Sequence, residues 1–234
     1  MNSNTKISWT EATWNPLTGC DKISSGCKNC YAAKMAKRMK AAANPRYKNG
    51  FNLTLHEDLV DAPRHLRKPR LVFVNSMSDL FHKDVPLEFI QKVFKTMNEC
   101  PQHNFQVLTK RSDRLVQLAP FLTWCDNIWM GVTVEEAKFK NRIDDLRKVP
   151  AKVRFISFEP LLGPIGRIKL NGIHWVIVGG ESGGGFRPMD KDWARKIRNQ
   201  SVKAKVKFFF KQYSGFHPRS LGRKLDGKIW EEKP

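Results

Sequence analysis

Short apolar runs rich in β-branched and aromatic residues recur along the chain at 51–55, 71–74, 105–108, 128–132, 153–158, 175–178 and 206–210. Most are unbroken rather than alternating, which is the pattern of strands buried on both faces of a parallel sheet. Segments of helical periodicity lie between several of them, at 31–43, 87–99, 112–121, 134–148 and 190–203. Pro86 and Asp190 stand where two of these helices start, the one with a preset φ and the other with an acceptor for free backbone amides. An early strand within 7–15 brings the expected number of β units to about eight. This predicts an α/β fold, either a compact (β/α)8-type or a partial TIM barrel, with a doubly wound open sheet as the alternative. No repeat, linker or composition break divides the 234 residues. One domain is expected over 1–234, with a glycine-rich, basic tail from about Ser214 that wraps the surface.

Barrels collect the residues that follow their strands at one mouth. Here those residues are His56 and Glu57, then Asn75 to Asp79 including Ser76 and Ser78, then Thr109, Lys110 and Arg111. Thr133 and Glu135, Glu159, Gly179 to Ser182, and Lys211 to Tyr213 follow the later strands. So many polar endings in succession favour an enzyme-like mouth.

Charge changes the picture. Lys and Arg number 42 against 22 Asp and Glu, a net charge of +20. Such an excess costs self-repulsion and points to a polyanionic partner, nucleic acid before membrane. It is concentrated in two blocks: residues 28–70 hold eleven basic against three acidic residues, and 191–228 hold twelve against two. No run approaches the roughly 18 apolar residues of a membrane span, and the first residues show no secretory pattern. A cytoplasmic protein without membrane contact is expected.

Three of the five cysteines, Cys20, Cys27 and Cys30, fall within eleven residues, with Gly19 and Gly26 beside them. Thiolates this close can share a metal centre, and three without an adjacent fourth ligand suit a 4Fe-4S cluster with one iron open to a reagent. Zinc completed by a remote ligand such as His56 or Cys100, and three unmetallated thiols, are the other readings. Cys100 and Cys125 stand alone and read as small buried apolar residues.

The Cys-rich loop leading into the first helix of a βα barrel resembles the radical S-adenosylmethionine (SAM) superfamily, here with the wider spacing Cys-x6-Cys-x2-Cys and Tyr31 after the last cysteine. A likeness over nearly the whole chain is to the phage Gp37/Gp68-like group, carried by TWNPLTGC, GCKNCYA, FVNSMSDLFH, FISFEPLLGPI and IVGGESG. The resemblance implies a radical-SAM-like fold, a 4Fe-4S cluster on Cys20, Cys27 and Cys30, SAM as cofactor, and a reductant such as flavodoxin or ferredoxin. It further implies a 5′-deoxyadenosyl radical acting on a modified thymidine base in DNA, as in isomerases that move a glycine substituent from nitrogen to carbon attachment. Base repair or tRNA modification by the same radical is an alternative, and a non-catalytic zinc or iron–sulfur nucleic-acid-binding module is another.

In that setting Ser76, Ser78 and Lys110 or Arg111 would hold the methionine moiety, and Asp79 or Glu135 the ribose hydroxyls. Gly180 and Glu181 would hold the SAM amine; a glycine turn with Ser182 capping a helix, or a phosphate cradle, are alternatives there. Glu159 and Lys211 read as substrate-contacting catalytic groups or as a structural ion pair. Trp9, Trp14, Phe186 and Tyr213 are candidate stacking platforms for a base, or else core residues.

Overall fold

The computed structural model describes residues 5–234, the side chain of Arg219 apart. Seven strands form one sheet: β1 (Ala12–Trp14), β2 (Leu71–Val74), β3 (Asn104–Thr109), β4 (Ile128–Thr133), β5 (Val153–Phe158), β6 (Trp175–Gly179) and β7 (Lys207–Gln212). They pair in sequence order, and every pairing is parallel. Five helices accompany them: α1 (Tyr31–Ala41), α2 (Leu87–Asn98), α3 (Ser112–Leu118), α4 (Asn141–Arg147) and α5 (Lys191–Lys203). The side chain of Asp190 caps α5 by accepting from the Asp192 amide at 2.8 Å.

Strand alternation sorts the sheet into two faces. Outward residues such as Val72, Val107, Met130, Ile156, Val178 and Phe210 pack in the larger core with the helices. Inward residues Phe73, Trp129, Phe155, Trp175 and Phe209 gather with Trp9 in a second cluster. Trp175 is its centre, with ring centroids 5.6 Å from Phe155, 6.1 Å from Trp9 and 6.2 Å from Phe209. Each phenylalanine buried in this way contributes about 1.5–3 kcal/mol. The plug lies toward the N-terminal ends of the strands, so the C-terminal ends are left as the mouth.

Two sequence expectations need correction. The sheet has seven strands rather than about eight and takes the partial-barrel form of the two expected, because β1 and β7 do not pair. The outer edge of β7 is instead covered by the tail: Phe209 bridges Glu231 antiparallel, and the Phe210 amide donates to the Trp230 carbonyl at 2.9 Å. Between β7 and the segment before β1 lies a cavity of about 540 Å³ lined by Ile7, Thr10, Lys211, Gln212 and Arg223 among others. The run 51–55 is not a barrel strand; only Thr54–Leu55 pairs, antiparallel with Leu17–Thr18. Its alternation of apolar and polar residues is the signature of a half-exposed strand, and its pair lies outside the seven-stranded sheet.

Candidate active site at the barrel mouth

The segment after β1 carries the three cysteines across the ends of β2, β3, β4 and β6. Gly19 bridges Ser78 and donates to the Met77 carbonyl at 3.1 Å. Its φ of +87° is left-handed, and a methyl group there would come within 3.0 Å of the Asn52 carbonyl. Only glycine meets both demands.

Cys20 faces Arg111, whose guanidinium donates to the sulfur at 3.4 Å. Arg111 is itself held by Asp79 at 3.0 Å, and Asp79 also accepts from Thr109 Oγ1 at 2.7 Å and the Lys110 amide at 3.1 Å. Burial, then the charge of Asp79, push the Cys20 thiol up to about 11, against the pull of Arg111. The Cys27 thiol goes the other way. Burial raises it, but the charge of Lys110 and hydrogen bonds from Ser24 hold it below its ordinary value. Lys110 thus favours the thiolate at Cys27, whereas at Cys20 Arg111 offsets only part of the opposing burial and charge.

The middle of the loop is tied to β4. Ser24 Oγ donates to Glu135 Oε1 at 2.6 Å, and Gly26 sits so close to that carboxylate that a methyl group would come within 3.0 Å. Glu135 is fully buried, which would cost several kcal/mol for an unpaired charge. Arg142 at 2.8 Å and Lys110 at 3.8 Å neutralise it. The end of the loop is tied to the segment after β6, where Asn29 Nδ2 donates to Glu181 Oε2 at 3.0 Å and Arg187 pairs with Glu181 at 2.5 Å. Burial raises the Glu181 carboxyl, yet hydrogen bonds from Arg187 and Asn29 outweigh it and set a net downward shift. The Tyr31 hydroxyl donates to the Ser76 carbonyl and secures the start of α1.

The remaining predicted residues divide clearly. Glu159 and Lys211 form an ion pair at the mouth, each side chain about 20% exposed or slightly less. Ser76 Oγ donates to Asn15 at 3.2 Å and Ser78 Oγ to the Leu17 carbonyl at 2.8 Å. Gly180 is pressed against Ser214, whose buried hydroxyl has no partner among the described residues. No helix starts at Ser182, which bridges Gly215 instead, so the capping expectation fails. Trp9 and Trp14 are buried in the core and cannot stack on a base, whereas Phe186 is exposed and Tyr213 is partly buried. Cys100 is buried at the end opposite the mouth, and Cys125 is exposed, contrary to expectation.

The structure also tests which metal group suits the cysteines. Among the described residues the three sulfurs do not all lie within 4.8 Å of one another; the set that does is Asp21, His82 and Asp84. A single zinc with bonds of about 2.3 Å would bring its sulfurs to about 3.8 Å. His56 Nε2 is engaged by Thr18 Oγ1 at 2.9 Å, and Cys100 is buried between α2 and β3. Three partly exposed sulfurs with Arg111 and Lys110 beside them offer the donor set of a polynuclear cluster. The sequence does not by itself point to Ser24, Asn29, Arg142 and Arg187 in these roles. Ser24 and Asn29, polar residues inside the cysteine spacing, were the legible signal, whereas the two arginines act from helices and loops that only folding brings near.

Comparison with known families matches residues 4–234 to the model of the family described as protein of unknown function DUF5131. The chain belongs to that family. No curated protein matches this DUF5131 chain. Among solved structures it is similar to "Spore photoproduct lyase complexed with dinucleoside spore photoproduct", at 12% identity and a TM-score of 0.45, over 80% of this chain. The DUF5131 chain spans 59% of the length of that structure.

Proposed function

We propose that this chain is a radical SAM enzyme that acts on a modified base in DNA, and specifically that it isomerises a glycine-substituted thymidine from nitrogen to carbon attachment. The observation that carries the first part is the cysteine loop itself: three partly exposed thiols laid over the mouth of a partial parallel barrel, beside Lys110 and Arg111. Cys20, Cys27 and Cys30 would hold a 4Fe-4S cluster. The bound cluster and SAM would together supply a carbon-centred radical that removes a hydrogen atom from substrate.

The chain's own part is to position. Asp79, Glu135 and Glu181 are engaged by protein partners, so their proposed role is to hold the loop and the cations around it. Ser76, Ser78, Lys110 and Gly180 line the rim where the methionine and ribose of SAM would lie. The Glu159–Lys211 pair is proposed to face the substrate, where a nearby anionic or amino group would exchange with one partner. The two basic blocks support a polymeric anion as substrate carrier.

Anaerobic reconstitution tests this reading. It expects a brown protein with about 4 iron per chain that converts SAM to 5′-deoxyadenosine when reduced. A colourless protein that binds zinc would overturn it. Nucleosides from DNA and RNA incubated with the reduced enzyme then test the substrate: an isomer shift in DNA is expected, and a product found only in RNA would replace the DNA assignment with RNA modification.

A further inference from the structure

The segments that follow β6 and β7 form a braid at the mouth. Ser182 bridges Gly215, the Gly183 amide donates to the Gly215 carbonyl at 3.0 Å, and the Gly215 amide donates to the Glu181 carbonyl at 3.0 Å. The braid is fastened to the cysteine loop and α1, because Asn29 Nδ2 donates to the Gly185 carbonyl at 2.7 Å and Lys34 Nζ to the Gly184 carbonyl at 2.8 Å. Ring stacking needs flat apolar side chains presented to solvent, and this braid presents them: Phe216 is 62% exposed and Phe186 37%. The Phe216 ring lies over Gly184, 3.6 Å from where a methyl group would stand. Leu221, also exposed, lies beside Gly215.

An exposed apolar patch with charged surroundings marks an interaction surface. The chain segments that flank it are strongly basic. Residues 22–56, which include Cys27, Cys30 and α1, contain no acidic residue and eight basic ones; residues 193–225 contain no acidic residue and ten basic ones. Aromatic rings between cationic tracts are the combination that single-stranded nucleic acid requires, with stacking for the bases and charge for the phosphates.

We infer that the braid is a base-stacking rim, in which Phe216 and Phe186 receive unpaired bases of a single strand or opened duplex beside the cysteine loop, while Lys34, Lys37 and neighbouring cations track the backbone. The inference rests on the polymeric-substrate reading proposed above. The π faces make it independent of sequence, and the duplex, whose bases are stacked on one another, gains little from it.

Fluorescence anisotropy with a labelled thymine-rich oligonucleotide of about twelve nucleotides, as single strand and as duplex, tests the rim without any cluster present. Phe216→Ala is expected to weaken single-strand binding about tenfold and duplex binding far less. Phe216→Leu, which keeps the apolar bulk, is expected to lose as much, and Lys37→Gln to reduce the slope of log affinity against log salt by about 1. Full affinity in Phe216→Leu, or unchanged affinity in both Phe216 variants while wild type binds, would overturn the rim and leave the polymer reading standing. Failure of wild type to bind either oligonucleotide would overturn the polymer reading and the rim with it. Loss of binding to anionic phospholipid vesicles in Phe216→Ala, with oligonucleotide affinity intact, would make the patch a membrane contact and overturn the rim.

Discussion

One guanidinium nitrogen of Arg111 lies 3.0 Å from the carboxylate of Asp79 and 3.4 Å from the sulfur of Cys20. The pair is buried, each side chain 9% exposed, so the carboxylate and the guanidinium each depend on the other for compensation. Asp79→Ala leaves Arg111 uncompensated and should cost about 3–5 kcal/mol, read as a lower midpoint in urea unfolding of the cluster-free protein. A loss below about 1 kcal/mol, the range of an exposed pair, would show that the pair does not hold the mouth together.

Gly26 offers a test of how tightly the cysteine loop is seated. A methyl group there meets the Glu135 carboxylate, whereas at Gly163 nothing lies within 4 Å. Gly26→Ala should therefore displace the loop and reduce iron retained after reconstitution by at least half, while Gly163→Ala stays within about 0.5 kcal/mol of wild type in stability and keeps its iron. Iron analysis and thermal unfolding of the two variants decide it.

The two solitary thiols should behave as opposites. Cys125 is exposed and Cys100 buried, 1% accessible. In the native cluster-free protein a bulky thiol reagent should label Cys125 quickly and Cys100 only after unfolding, as read by peptide mass spectrometry. Cys125→Ser should leave reconstitution unchanged.

Acid stability should depend on Glu181. Its pKa is lower in the folded chain than the ordinary 4.5, with Arg187 and Asn29 bonded to the carboxylate. A lowered folded-state value means stability that is fully present above 4.5 and is lost as the pH falls through the folded value. Glu181→Gln should thus be less stable at neutral pH and show a shallower fall between pH about 5 and about 3. Urea midpoints across that range measure it, and parallel curves for the two proteins would contradict the shift.

The sequence alone determined the parallel sheet and most of its strands, because strands buried on both faces must be apolar at every position, and it located the helices between them, although the one expected over 134–148 covers only Asn141–Arg147. Unbroken runs such as the one at β6 therefore announce themselves, and the Asp190 cap is a local device that needs no tertiary partner. It also determined which residues stand at strand ends, hence that Glu135, Glu159, Glu181 and Lys211 meet at the mouth. Only the tertiary structure decided which of them are already engaged. Glu135 is taken by Arg142 and Ser24, and Glu181 by Arg187 and Asn29, pairings set by how loops pack. Closure was likewise invisible locally. Whether a parallel sheet becomes a full barrel depends on what covers its last edge, and here residues near 231 reach back to β7 before β1 can. Exposure of Cys125 and burial of Trp9 and Trp14 have the same origin, since residue type sets the cost of each environment, and the packing of the whole chain decides which environment a residue receives.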